Sequence, residues 1–196
     1  MTADQAFARL VAGNKRFVAG KARFPTVQKA VLADLAKGQR PYATVIGCSD
    51  SRVPPELVFD ASFGELFIVR VAGNVISPEV MGSIQYAAVH LGTPLFVVMG
   101  HAGCGAVQAA LSAMDKGTRE HERIALLLDR ILPGLKGIKT TLSARAKMRA
   151  AVEANVRWSM RQVLETPEAE ARQAEGVLKL VGAVYELTNG RVRFLP

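Results

Sequence analysis

Residues 66–99 read LFIVRVAGNVISPEVMGSIQYAAVHLGTPLFVVM, and this stretch decides the fold. Its two ends, Leu66 to Val71 and Leu95 to Met99, are short apolar runs rich in β-branched and aromatic residues, the pattern of strands buried on both faces. Between them Ser77 is placed to cap a helix, Pro78 takes its first position and Glu79 its first turn, and Met81, Ile84 and Ala88 recur at helical spacing until Gly92. Strand, helix and strand in that order form a crossover unit, which sets its two strands parallel.

Upstream, Tyr42 to Gly47 (YATVIG) repeats the buried-strand pattern. Further back, Thr2 and Gln5 have the spacing of a capping box, and Phe7, Leu10, Val11, Phe17 and Val18 recur at helical intervals until Gly20, which predicts an amphipathic first helix. A second helix is predicted from Thr26, with Val31, Leu32 and Leu35 on one side and a stop at Gly38. Downstream, Gly105 to Lys116 and Glu120 to Leu132 read as helices, the second broken by Pro133 and Gly134, and a long helix from Leu142 to about Leu164 ends before Pro167. Leu180 to Leu187 and Val192 to Leu195 flank Asn189-Gly190, a hairpin-turn signal. The expected fold is α/β: a mostly parallel central sheet of four strands plus an antiparallel C-terminal edge strand, flanked by helices. Residues 1–38 form an N-terminal helical arm, and 1–196 is read as one domain without an internal repeat.

A chain of 196 residues, 49% hydrophobic and 21% charged, excludes a disordered or low-complexity polypeptide. The 25 Lys+Arg and 17 Asp+Glu leave a net charge of +8, which suits an anionic substrate or an acidic partner without choosing between them. The N-terminal residues lack a basic stretch followed by a continuous apolar one, so a cytoplasmic location is expected; a periplasmic chain whose leader has been trimmed would look the same. The longest apolar runs fall far short of the roughly 20 residues a membrane span needs.

Two cysteines and three histidines exclude a disulfide scaffold, and any metal site must draw on nearly the whole supply. Cys48 follows the first predicted strand directly, in Gly47-Cys48-Ser49-Asp50-Ser51-Arg52, and His101 and Cys104 follow the third, in Gly100-His101-Ala102-Gly103-Cys104-Gly105. In an open parallel sheet ligands bind where loops leave the carboxyl ends of the strands. Two thiolates and an imidazole are a zinc ligand set, and three protein ligands with one open position are the mark of a catalytic site. On residue types alone a Cys48–Cys104 disulfide and a pair of idle buried thiols stay open. Asp50 can fill a fourth metal position or be drawn off by the Arg52 guanidinium, and a plain loop salt bridge is the simpler account of that pair.

Cys48-Ser49-Asp50-Ser51-Arg52-Val53 and His101-Ala102-Gly103-Cys104-Gly105-Ala106-Val107 together closely resemble the two signature motifs of the β-class carbonic anhydrases. The resemblance extends through Gly13-Asn14-Lys15-Arg16-Phe17, Phe67 to Asn74 (FIVRVAGN) and Ser83-Ile84-Gln85-Tyr86. It implies one Zn2+ per subunit on Cys48, His101 and Cys104, with water or Asp50 as fourth ligand. It also implies an Asp50–Arg52 catalytic dyad that orients zinc-bound hydroxide for attack on carbon dioxide, giving bicarbonate. Gln39, Phe67 and Tyr86 match the substrate-pocket residues of the plant-like branch, some supplied across a dimer interface built around an exchanged N-terminal helix; a homodimer or a dimer of dimers is implied. Plain packing is the alternative for Phe67 and Tyr86, a solvated loop for Gln39, and His90 is read as structural. A tryptophan that marks an inhibitory bicarbonate site in one bacterial branch is replaced here by Val45, so no such site is expected. Relatives with the same motifs hydrolyse carbon disulfide or carbonyl sulfide, and the motifs do not separate them. A distant alternative is a nucleic-acid or acidic-partner surface on the basic stretch from Lys136 to Arg161, but Trp158 is its only aromatic residue and a solvated helix face accounts for it; no nucleic acid and no membrane partner are expected.

Overall fold

The computed structural model of the chain describes residues 1–23, 29–139 and 141–196. The sheet has five strands, β1 (Ala43–Gly47), β2 (Leu66–Arg70), β3 (Leu95–His101), β4 (Lys179–Tyr185) and β5 (Val192–Phe194), in the order β2-β1-β3-β4-β5. The first four are mutually parallel and β5 runs antiparallel to β4, as the sequence predicts. Every residue of β1 and β3 is buried, because helices cover both faces, and this is why the two strands read as unbroken apolar runs. The chain steps from β1 outward to β2 and then back across to β3. The order therefore reverses at the β1–β3 boundary, and the carboxyl ends of these two strands open the crevice.

Helix α1 (Ala3–Val18) has the capping box, with the Thr2 side chain accepting from Gln5 N–H and the Gln5 side chain accepting from Thr2 N–H. It docks on its own chain. Asn14 Nδ2 donates to the carbonyls of Val58 (3.0 Å) and Gly190 (2.9 Å), and Val192 N–H donates to Asn14 Oδ1 (2.9 Å). Gly13 lies so close to Phe59 that an added Cβ would stand 1.8 Å from its carbonyl oxygen, so only glycine permits this approach. Helix α2 is described over Lys29–Leu35; its expected start at Thr26 lies outside the described residues.

Between β1 and β2 the chain forms a single-turn helix, α3 (Pro55–Val58), and a 3₁₀ turn, Ala72–Asn74, follows β2; neither is legible in the periodicity. Helix α4 (Pro78–Val89) begins as expected, with Ser77 capping Val80 N–H, and α5 (Gly105–Lys116) matches its predicted span. Helix α6 (Glu122–Leu135) runs through Pro133 instead of breaking there. A proline removes one donor and crowds one carbonyl, a modest loss in a final turn whose last residue, Leu135, is fully buried. Helix α7 (Ala144–Leu164) closes the sheet face over β3 and β4. It ends before Pro167 as the sequence predicts, and Pro167 then opens a further helix, α8 (Pro167–Ala174), at its first position behind the Thr166 cap. No helix among the described residues is long and apolar enough to cross a membrane.

Candidate metal centre

Cys48 leaves the end of β1, His101 is the last residue of β3, and Cys104 stands at the N-cap of α5, so three element boundaries meet at the crevice. All three side chains are buried, and their ligand atoms lie within 4.8 Å of one another. Both cysteines are free, with sulfurs 3.9 Å apart, far beyond the roughly 2.05 Å of a disulfide, which removes that alternative. Two thiolates about 2.3 Å from one tetrahedral ion stand about 3.8 Å apart, so the observed separation fits a shared metal. The imidazole fits too. His101 Nδ1 lies 3.1 Å from the Ala102 carbonyl, which takes its proton and leaves Nε2 with a free lone pair. Nε2 is buried without a hydrogen-bond partner among the described residues, and a buried polar atom of that kind is costly unless something fills the site.

The two sulfurs share a proton. The Cys48 thiol is pushed down to about 4, first by the hydrogen bond from Cys104, against its own burial, and further by His101 and by backbone N–H groups near Asp50 and Gly73. Cys104 is pushed up by the same contact and by burial. The contact thus favours the thiolate form at Cys48.

Asp50 lies beside this group and is not one of its three members. Arg52 donates from Nε to Oδ1 (2.9 Å) and from Nη2 to Oδ2 (2.7 Å), and Arg52 N–H adds a third bond to Oδ1 (3.0 Å). The guanidinium fork holds the Asp50 carboxyl far below the usual carboxylate range, so it is ionised. Its Oδ2 remains 3.7 Å from His101 Nε2, facing the ligand group.

Two contributors escape a reading by residue type. Arg70, at the end of β2, donates to the carbonyls of Cys48 (2.9 Å) and Asp50 (2.6 Å) and fixes the loop that carries both side chains. Gly73 N–H donates to Cys48 Sγ (3.3 Å). Arg70 leaves a faint trace, a lone cation in an apolar strand; the Gly73 contact, made by backbone, leaves none.

The expected substrate-lining residues are divided. Phe67 and Tyr86 come together, their ring centroids 6.2 Å apart, and His90 stacks on Tyr86 at 5.0 Å. Phe67, however, pairs with Thr44, four residues before Cys48, and at about 3.3 Å per residue that places it about 13 Å back along the sheet from the ligand group of its own chain. Gln39 precedes β1 and so stands at the opposite end of that strand from Cys48.

The basic stretch is largely absorbed elsewhere. Lys147 pairs with Asp115, Arg149 with Glu153, Arg157 reaches the Pro196 carbonyl, and Arg161 lies over the Trp158 ring.

A family model described as carbonic anhydrase matches residues 43–192. "Carbonic anhydrase 2" of Mycobacterium tuberculosis is 40% identical over 188 residues, covering 95% of this chain and 89% of that protein. Among solved structures, a Coccomyxa β-carbonic anhydrase in complex with acetazolamide is similar with a TM-score of 0.76 and 28% identity, over 96% of this chain and 86% of that one. A tetrameric β-carbonic anhydrase from Sordaria macrospora shares the fold with a TM-score of 0.78 at 24% identity, over 97% of each chain. With its ligand group at the strand ends and these likenesses spanning nearly its whole length, the chain belongs to the β-carbonic anhydrase family of enzymes.

Proposed function

We propose that this chain catalyses the reversible hydration of carbon dioxide to bicarbonate and a proton, with one zinc ion per subunit held by Cys48, His101 and Cys104. The observation that carries this reading is the pair of sulfurs 3.9 Å apart beside a buried, unpartnered imidazole nitrogen. When bound, zinc supplies the Lewis acidity that makes water a nucleophile near neutral pH, less completely with two charge-donating thiolates than with imidazoles alone.

The chain's own residues supply orientation. Asp50, ionised and locked in the Arg52 fork, turns Oδ2 toward the ligand group as an acceptor that fixes the direction of the attacking water. With both oxygens engaged by Arg52, the carboxylate serves in this conformation as acceptor, not as fourth ligand. Arg70 holds the Cys48 and Asp50 carbonyls and so keeps acceptor and thiolate in register. Carbon dioxide carries no charge and needs an apolar wall; the Phe67 and Tyr86 rings provide it from a second copy of the chain and the Gln39 amide adds a polar contact, since the sheet holds Phe67 and Gln39 away from their own ligand group. A homodimer, alone or paired into a tetramer, is therefore the working assembly.

Isotopic oxygen exchange between bicarbonate and water, followed on protein of measured zinc content, tests the reading. Exchange that rises with bound zinc supports it, and zinc-loaded protein no faster than buffer refutes it.

A further inference from the structure

The turn after β2 is held in an unfavourable shape from a distance. Gly73 and Asn74 both take left-handed backbone conformations, with φ of 69° and 46°. For Asn74 this costs conformational energy, and such a conformation persists only where its surroundings impose it. Gly73 has no room for a side chain either: an added Cβ would stand 2.8 Å from Ile131 Cδ1 and 3.1 Å from Ala106 Cβ.

The surroundings that impose it are two polar residues of α7. Asn155 Nδ2 donates to the Gly73 carbonyl (2.8 Å), Ser159 Oγ donates to the Asn74 carbonyl (2.9 Å), and Asn74 Nδ2 donates back to Ser159 Oγ (3.3 Å). Asn74, Asn155 and Ser159 are each only 1% exposed. Asn155 and Ser159 are four residues apart, on one face of a helix whose other buried positions include Ala151, Val152, Val156 and Val163. The Asn155 Oδ1 has no hydrogen-bond partner among the described residues. An amide buried at that cost is not there for packing, because an apolar residue of its size would avoid the penalty. What the amide achieves is to fix the Gly73–Asn74 peptide, and with Gly73 held at φ 69° the preceding Ala72–Gly73 peptide presents its N–H to Cys48 Sγ at 3.3 Å.

We propose that Asn155 and Ser159 are positioning residues: from α7 they hold the Gly73–Asn74 turn in the left-handed shape that aims the Gly73 N–H at the Cys48 sulfur. The proposal rests on the reading of Cys48 as a metal ligand. The N–H draws charge from the sulfur, steadies its direction and so tunes how strongly the three-residue group holds a metal.

The test measures zinc affinity of the full chain by competition with a chromophoric chelator, for wild type, Asn155→Leu, Ser159→Ala and the comparator Val163→Ala. Thermal melting of the metal-free chains and the thiolate-to-cobalt charge-transfer band of the cobalt-loaded chains are recorded alongside. Asn155→Leu should weaken zinc binding roughly 10- to 100-fold. Its cobalt band should move to longer wavelength, since the sulfur lone pairs lose the N–H that stabilises them. Ser159→Ala should move both in the same direction by less. Val163→Ala, buried on α7 beyond the turn, should lower the melting temperature and leave zinc affinity and band unchanged. Wild-type affinity and band in both Asn155→Leu and Ser159→Ala overturn the inference, and so does a loss in Val163→Ala as large as that in Asn155→Leu. Should Asn155→Leu fail to fold, Ser159→Ala decides by the same criteria. A wild-type chain that binds neither zinc nor cobalt overturns the metal centre itself and this inference with it; normal wild-type binding with unaffected variants overturns the inference alone.

Discussion

The carboxylate of Asp50 lies in the guanidinium fork of Arg52, with Nε–Oδ1 at 2.9 Å and Nη2–Oδ2 at 2.7 Å, while the same Oδ2 faces His101 Nε2 at 3.7 Å. Arg52 has most of its surface in water, so the pair adds little to stability; its effect is on where the carboxylate points. Arg52→Ala should leave the fold and the metal content unchanged and lower kcat for carbon dioxide hydration by about 10²–10⁴-fold. Asp50 without its partner still ionises far below neutral pH, since an ordinary Asp titrates near 3.9. The loss should therefore persist as pH is raised, which a pH–rate profile from neutral to alkaline checks.

Metal removal should be felt in stability as well as activity. A ligand present at about 100 times its Kd adds about 2.7 kcal/mol, which in a domain of this size raises Tm by about 5–10 °C. A calorimetric scan with and without chelator should show this shift in the wild type, and Cys104→Ser should abolish most of it.

The sheet geometry makes a prediction about subunits. Phe67 sits beside Tyr86 and well back from its own Cys48, and the proposed function has it serve a neighbour's ligand group. Cys48→Ser should be inactive and Phe67→Ala slowed. In a mixed dimer of the two, one site combines an intact ligand group with an intact wall. Co-expression should then restore activity in about one quarter of all sites, above the average of the two parents. Activity equal to that average would mean that Phe67 acts within its own chain.

Away from the crevice, Asp60 ties the arm to the body. Its buried carboxylate accepts from Arg16 Nε, from Arg23 N–H (2.8 Å) and from Arg23 Nε (3.2 Å). Burial alone would raise its pKa, and the bonds from Arg16 and Arg23 more than offset this, so the net shift is downward. A carboxylate depressed on folding contributes stability above its unfolded pKa of about 3.9, and that contribution is lost as pH falls through the folded value. Asp60→Asn keeps a residue that tolerates the local φ of 47° and removes the charge. It should cost about 2 kcal/mol at pH 7 in urea denaturation, and the gap from wild type should close below about pH 4.

The parallel strands were legible because a strand covered on both faces has to be apolar throughout, as β1 and β3 are. Cys48, His101 and Cys104 were legible because their residue types are scarce and their loops leave adjacent strand ends. Arg70 and Gly73 were not, since they act on or through backbone, and Asn155 and Ser159 were hidden more deeply, 82 and 85 residues from the groups they hold. Of the two proline readings, the helix end before Pro167 is borne out and the break at Pro133 is not. Pro133 was tolerated in a last turn anchored by buried Leu135, and the short helix that Pro167 opens went unread. The disulfide that the sequence left open is excluded by 3.9 Å between the sulfurs, a distance no residue spacing discloses.

Stopped-flow hydration of carbon dioxide, on wild type and Asp50→Asn matched for zinc content, tests the central claim most directly. The account predicts fast hydration by the wild type, rising toward about pH 8–9 as two thiolates leave the active water less acidic, and a variant that keeps its zinc but loses about 10²-fold or more in kcat. A zinc-loaded wild type no faster than buffer across that range would contradict it.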